Sequence, residues 1–183
     1  MAARQGDREA LESLLTQNWA WLRGIVYSVL VDRREVDDAL QDVCLRVITR
    51  IRTLRDPRRF RAWLAVLARR EALRYRRRGR RVATVPAGAE GAGPAWRNDD
   101  PVATLERSEL CGRVLEALRN LPARYREVFV LAHSGELTYA QMAEVLDVPL
   151  TTMQIRLVRA RRMIREQIVR EDERRLVEHE HHR

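Results

Sequence analysis

Gln154, Arg156, Arg159 and Arg162 fall within nine consecutive residues, and both side-chain types can read the edges of DNA bases. A guanidinium forks onto guanine O6 and N7, and a carboxamide onto adenine N6 and N7. Thr152, Ile155 and Val158 share their side of the segment, so the chemistry suited here is recognition, with no bond made or broken. A second concentration lies between Arg69 and Arg81, where eight of thirteen positions are Arg and only Glu71 is acidic. Trp63 and Tyr75 lie on or near that stretch, and aromatics beside Arg can stack on unpaired bases. The third is acidic: Asp38, Gln41 and Asp42 at i, i+3 and i+4 share one helical face. Such a patch is a poor DNA contact and a plausible protein contact, although acids near a helix start also simply suit the macrodipole.

Catalysis finds no comparable set. No paired carboxylates flank a histidine, no phosphate-binding loop occurs, and His133 stands alone in an apolar helix. The terminal run Glu178-His179-Glu180-His181-His182-Arg183 has metal-like spacing, but no Cys or turn accompanies it, so it reads as a solvated tail. We expect no enzyme, no metal, no cofactor and no small-molecule substrate.

The elements that must position these residues are helices. Thr138 caps a short helix over Tyr139–Leu146, Asp147-Val148-Pro149 makes a tight turn, and a final helix runs from about Thr151 past Ile168. Ala143 is the small residue that lets the two helices approach, and Met142, Val145, Leu146, Val148, Met153 and Leu157 form the inner face. Asp147 stands where glycine is commoner in such a turn, and Asp visits the left-handed region at modest cost. The pattern is a helix-turn-helix whose second helix suits the major groove; a plain helical hairpin with a solvated Arg face is the bland reading.

Upstream, one amphipathic helix is expected from about Asp7 to Leu30, on Leu11, Leu14, Leu15, Leu22, Ile25, Val26 and Val29. Asp32-Arg33-Arg34-Glu35 reads as a capping box opening a second helix. Asp56-Pro57 ends that pattern, and a third helix follows from about Arg59 with Phe60, Trp63, Leu64, Leu67 and Ala68 as its apolar stripe. Between Val82 and Pro101 lie three of the eight glycines and three of the six prolines with no periodic apolar face, a flexible linker. Beyond it one helix carries Leu105, Leu110, Val114, Leu115 and Leu118, and another runs from about Ala123 through Leu131. The fold class is therefore all-α: an N-terminal domain of three to four helices over 1–81, a linker over 82–101, a helix-turn-helix domain over 102–170 and a charged tail over 171–183.

Composition agrees. Apolar residues make up 45% and charged residues 33%, enough to bury two small cores. The formal charge is +9, and all 35 basic residues are Arg, the side chain suited to forked phosphate and guanine contacts. Cys44 and Cys111 lie far apart in helical patterns and read as reduced thiols of a cytoplasmic protein. No apolar run approaches the roughly 18 residues of a membrane span, and Met1–Asp7 lacks a signal peptide's apolar core, so no membrane insertion is expected.

Taken in order, these segments resemble the extracytoplasmic-function, or group IV, sigma factors of bacterial RNA polymerase over nearly the whole chain. Asp37-Asp38-Ala39-Leu40-Gln41-Asp42-Val43-Cys44-Leu45-Arg46-Val47 is similar to the family's core-polymerase-binding helix. Phe60-Arg61-Ala62-Trp63-Leu64-Ala65-Val66-Leu67-Ala68-Arg69 resembles the helix that handles the melted minus-ten element. Leu121-Pro122-Ala123-Arg124-Tyr125-Arg126-Glu127-Val128-Phe129 resembles the start of the fourth region, and Arg156-Leu157-Val158-Arg159-Ala160-Arg161 the end of its recognition helix.

The resemblance implies core RNA polymerase and promoter DNA as partners. Asp38, Gln41 and Asp42 would grip the clamp helices of the largest polymerase subunit. The loop Arg55-Asp56-Pro57-Arg58-Arg59 and the helix after it, with Phe60, Trp63, Arg69, Arg70, Arg74 and Arg77, would hold the minus-ten strand and a flipped base. Thr152, Gln154, Ile155, Arg156, Val158, Arg159 and Arg162 would form the minus-thirty-five surface. An anti-sigma partner is a family expectation. Cys44 departs from a frequent large aromatic, Arg70 and Arg74 from commoner small polar or acidic residues, and Gln154 and Ile155 from a basic residue and Ser. The competing reading is a stand-alone helix-turn-helix repressor, which would leave the N-terminal domain unexplained.

Overall fold

The computed structural model describes residues 2–5, 7–82 and 112–181, and among these all regular structure is helical. The N-terminal half comprises α1 (Ala2–Gln5), α2 (Arg8–Gln17), α3 (Trp19–Leu30), α4 (Arg33–Arg50) and α5 (Phe60–Val82). The C-terminal half comprises α6 (112–120), α7 (Ala123–His133), α8 (Tyr139–Leu146) and α9 (Leu150–His181). The linker expected at 82–101 lies outside the described residues except Val82, which closes α5.

The single helix expected from Asp7 to Leu30 is two helices broken at Asn18. The Asn18 side-chain amide donates to the Leu14 carbonyl at 2.7 Å, and its backbone N–H is shared between the Leu14 and Leu15 carbonyls. A short polar side chain that bonds the preceding turn offers the chain an alternative to helix, which apolar periodicity does not register. Asp32 caps α4 by accepting from the N–H groups of Arg34 and Glu35 at 2.8 and 3.3 Å. The expected return bond from Glu35 is not among the described bonds, and burial with the neighbouring Asp32 charge raises the Glu35 carboxyl above its ordinary range. Asp56 caps the short turn Pro57–Arg59, with Pro57 at its first position, and α5 follows without a break.

The N-terminal core joins Leu22, Ile25, Val26 and Val29 of α3 to Val36, Leu40, Val43 and Val47 of α4. The buried stripe of α5 is Ala62, Leu64, Ala65, Ala68 and Ala72, whereas Phe60, Trp63 and Leu67, expected at its centre, flank it half-buried. Alanines let α3 and α4 come close, and hydrophobicity alone ranks them below the aromatics that they displace to the margin.

The C-terminal half packs Val128 and Leu131 of α7, Met142, Val145 and Leu146 of α8, and Met153, Leu157, Ala160 and Ile164 of α9. The capping box is at Thr138: its hydroxyl accepts from Gln141 N–H while the Gln141 side chain accepts from Thr138 N–H at 2.9 Å. Asp147 closes α8 in the left-handed conformation at φ 56° and ψ 52°. Val148 N–H reaches the Ala143 carbonyl at 3.1 Å, completing a Schellman-type stop. The two halves share one contiguous buried cluster, with α3 against α7 and α5 against α8.

Candidate nucleic-acid interface

Asp38 and Gln41 are exposed on α4 and Asp42 is half-buried. α5 lies along the same face: the Tyr75 hydroxyl donates to Asp38 at 2.9 Å, and Arg74 reaches Asp42 at 3.5 Å and Glu71 at 2.7 Å. The hydrogen bond to Asp38, with surrounding carboxylates, raises the Tyr75 phenol above its ordinary range. Beside the acids, Leu45 and Ile48 are 61% and 54% exposed. A cleft of about 490 Å³ lined by Leu11, Leu15, Trp19, Cys44 and Ile48 opens between α2 and α4. Cys44 lines this cleft, and burial pushes its thiol up. Periodicity put Ile48 on the inward face of this helix with Val36, Leu40, Val43, Val47 and Ile51, but it is exposed, and Leu45, two residues from both Val43 and Val47, lies opposite the buried stripe.

The arginines assigned to the minus-ten strand divide into two groups. Arg55, Arg58, Arg70 and Arg77 are exposed and make no ion pair among the described residues. Arg74 turns to the acidic face, as above, and Arg59 and Arg69 turn to the C-terminal half. Arg59 donates from Nη2 alone to both carboxylate oxygens of Glu144 at 2.8 and 2.5 Å, and Arg69 Nε donates to Glu127 at 2.5 Å. Arg61 pairs with Glu136. Glu127 is buried, whereas Arg59 and Glu144 both remain in water, so the three bridges differ in kind. Phe60 and Trp63 are half-buried with ring centroids 6.1 Å apart. Trp63, Arg70, Arg74 and Arg77 recur at spacings of seven, four and three, so they follow one stripe of α5.

Five of the seven residues expected on the minus-thirty-five surface, Gln154, Ile155, Val158, Arg159 and Arg162, are exposed on α9. Met153, Leu157, Ala160 and Ile164 form the buried stripe of α9, and Thr151, Ile155, Val158 and Arg162, offset from them by two residues, form the opposite one. Gln154 and Arg159 are exposed at its edges, and Thr152 and Arg156 are half-buried. Arg124, Tyr125, Thr152, Ile155, Arg156 and Arg159 line one shallow cleft. Arg159 and Arg124 beside the Tyr125 hydroxyl hold its phenol below the ordinary range. Three guanidiniums without a carboxylate at the cleft make a seat for a phosphate. Arg124 and Tyr125 were quoted from sequence only as part of a motif; their part in this cleft depends on α7 crossing α9.

Residues 14–82 match the family described as Sigma-70 region 2, and residues 111–164 match Sigma-70, region 4. The ECF RNA polymerase sigma-E factor of Haemophilus influenzae is 29% identical over 90% of each chain. The chain belongs to the extracytoplasmic-function sigma factors. The ECF RNA polymerase sigma factor SigW of Bacillus subtilis is 25% identical over 90% of this chain and 92% of its own. Among solved structures, the sigma factor RpoE in complex with the anti-sigma factor NepR from Bartonella quintana superposes with a TM-score of 0.68 at 20% identity, covering 87% of this chain and 97% of that one. CnrH in complex with the cytosolic domain of CnrY gives 0.62 at 24%, over 91% and 92%. At these identities the likeness concerns the fold.

As a sigma factor the protein directs RNA polymerase to promoters, and nothing supports the stand-alone repressor. No described helix is long and apolar enough to cross a membrane. The sigma factor holds its two conserved regions together by contacts that sequence reasoning missed, above all Arg126. This guanidinium is buried, with Nε donating to the Ser28 carbonyl of α3 at 2.7 Å and Nη1 to the Arg119 and Leu121 carbonyls at 3.1 Å. It therefore satisfies the C-terminal ends of α3 and α6 at once, where a cation suits the helix dipole.

Proposed function

We propose that this sigma factor divides its work along the chain: residues 1–81 bind core polymerase and open the minus-ten element, 82–101 connect the regions, 102–170 read minus-thirty-five duplex, and 171–183 form a charged terminal segment. Asp38, Gln41 and Asp42 supply the polar part of the polymerase contact, with Leu45 and Ile48 as its apolar part. Arg55, Arg58, Arg70 and Arg77 are ready to meet the minus-ten strand, beside Phe60 and Trp63. Arg59, Arg69 and Arg74 reach DNA after exchanging their carboxylates for phosphates, and because the partners of Arg59 and Arg69 lie in the C-terminal half the polymerase-bound form is an opened one. The observation that carries this reading is the α9 surface, which turns Gln154, Ile155, Val158, Arg159 and Arg162 outward over a basic cleft.

The protein acts in the cytoplasm with no catalysis of its own. The Bartonella relative crystallised with an anti-sigma factor, and we extend a partner of that kind to this chain. Transcription in vitro with purified core polymerase and a genomic DNA library, with and without the protein, tests the reading. Discrete new start sites dependent on the protein are expected; their absence, with footprints on duplex DNA by the protein alone, would overturn it.

A further inference from the structure

The outward stripe of α9 has an unusual composition for a surface that meets DNA. Thr151, Ile155 and Val158 precede Arg162, so three of its four side chains carry methyl groups. Ile155 and Val158 are 53% and 67% exposed. All three are β-branched and stiff at χ1, so they lose little freedom when covered. Charge lies beside them on one side, where Arg124, Arg156 and Arg159 gather at the cleft, and the neutral carboxamide of Gln154 stands at the other edge. In a major groove the edge charges meet phosphates while the apolar crest faces the base pairs. The apolar group displayed there by unmodified DNA is the C5-methyl of thymine.

The geometry points to thymine methyl groups as the features read by Ile155 and Val158, so the upstream promoter element carries adjacent T·A pairs at the steps facing them. This rests on the reading of α9 as the helix that enters duplex DNA. A phosphate-only contact would leave two large apolar side chains against water.

The test uses holoenzyme assembled from the full chain and core RNA polymerase, transcribing a library randomised in the upstream element. Enrichment of T·A pairs at adjacent positions is expected. Replacing each such thymine by deoxyuridine removes one methyl group and lowers transcription about fourfold, the cost of one methyl left unburied. Ile155→Ala and Val158→Ala each abolish the thymine-against-deoxyuridine difference at one position and keep it at the other. If deoxyuridine is silent at every selected thymine, or if the library selects G·C pairs there, the inference is overturned while the sigma reading stands. No transcription from any template removes the sigma reading, and this inference with it.

Discussion

Arg126 and Arg69 are both guanidinium groups withdrawn from water, and they are compensated differently. Arg126 meets backbone carbonyls at the ends of two helices, whereas Arg69 meets the buried carboxylate of Glu127. Removing Arg126 strands carbonyls in a dry interface; Arg126→Ala is expected to lower unfolding free energy by about 3 kcal/mol, measured by urea denaturation. Arg126→Lys should recover less than half, because one ammonium replaces a fork that points two ways. A loss below about 1 kcal/mol for Arg126→Ala would mean that water reaches those carbonyls. Cys44 gives a second test: its thiol is raised by burial, so less thiolate exists near neutral pH. In a Cys111→Ser background, iodoacetamide should modify Cys44 more slowly than a free thiol at pH 8, and equally fast once urea unfolds the chain.

At the scale of elements, two stops built from left-side backbone contrast. Asp147 occupies a region that Asp tolerates, within a helix stop completed by its neighbours' hydrogen bonds. Val31, between α3 and α4, sits at φ 70° and ψ −43°, where a β-branched side chain is strained. The strain is worth about 1–3 kcal/mol and glycine's extra unfolded-state freedom about 0.5–1 kcal/mol, so relief wins. Val31→Gly is therefore expected to stabilise the protein by about 1 kcal/mol, a rise in Tm of about 3 °C by calorimetry. Thr138→Ala removes one half of the α8 capping box and should cost about 1 kcal/mol by the same measurement. Its effect should appear as loosened α8 amides in hydrogen exchange, since α8 positions α9.

For the molecule as a whole, the two conserved regions are held together by bridges of unequal value. Arg59–Glu144 lies in water, with both side chains more than half exposed, and is worth less than about 1 kcal/mol. Arg69–Glu127 is largely dry, and breaking one partner leaves an uncompensated charge at about 3–5 kcal/mol. Glu127→Ala is thus expected to separate the regions, seen as a larger radius of gyration in small-angle scattering, while Glu144→Ala leaves the scattering curve unchanged. Equal behaviour of the two variants would show that apolar packing of α3 on α7 alone decides closure.

The sequence alone determined the helical class, the helix-turn-helix and its inner face, because apolar periodicity, a capping Thr138 and the Asp147 turn act over short range. It also placed Gln154, Ile155, Val158, Arg159 and Arg162 outward, since a helix whose buried stripe is legible has its opposite face determined too. The break at Asn18 escaped, because a side chain that competes for a carbonyl leaves no mark on apolar spacing. So did the alanine stripe of α5, whose burial depends on how closely α3 and α4 approach. Only the tertiary structure decided which arginines of the N-terminal half are held in ion pairs. Arg59 and Arg70 are alike in sequence, but one meets Glu144 of a segment 85 positions away and the other makes no described ion pair. An ion pair across the fold depends on how two regions pack, and local pattern carries no information about that distance.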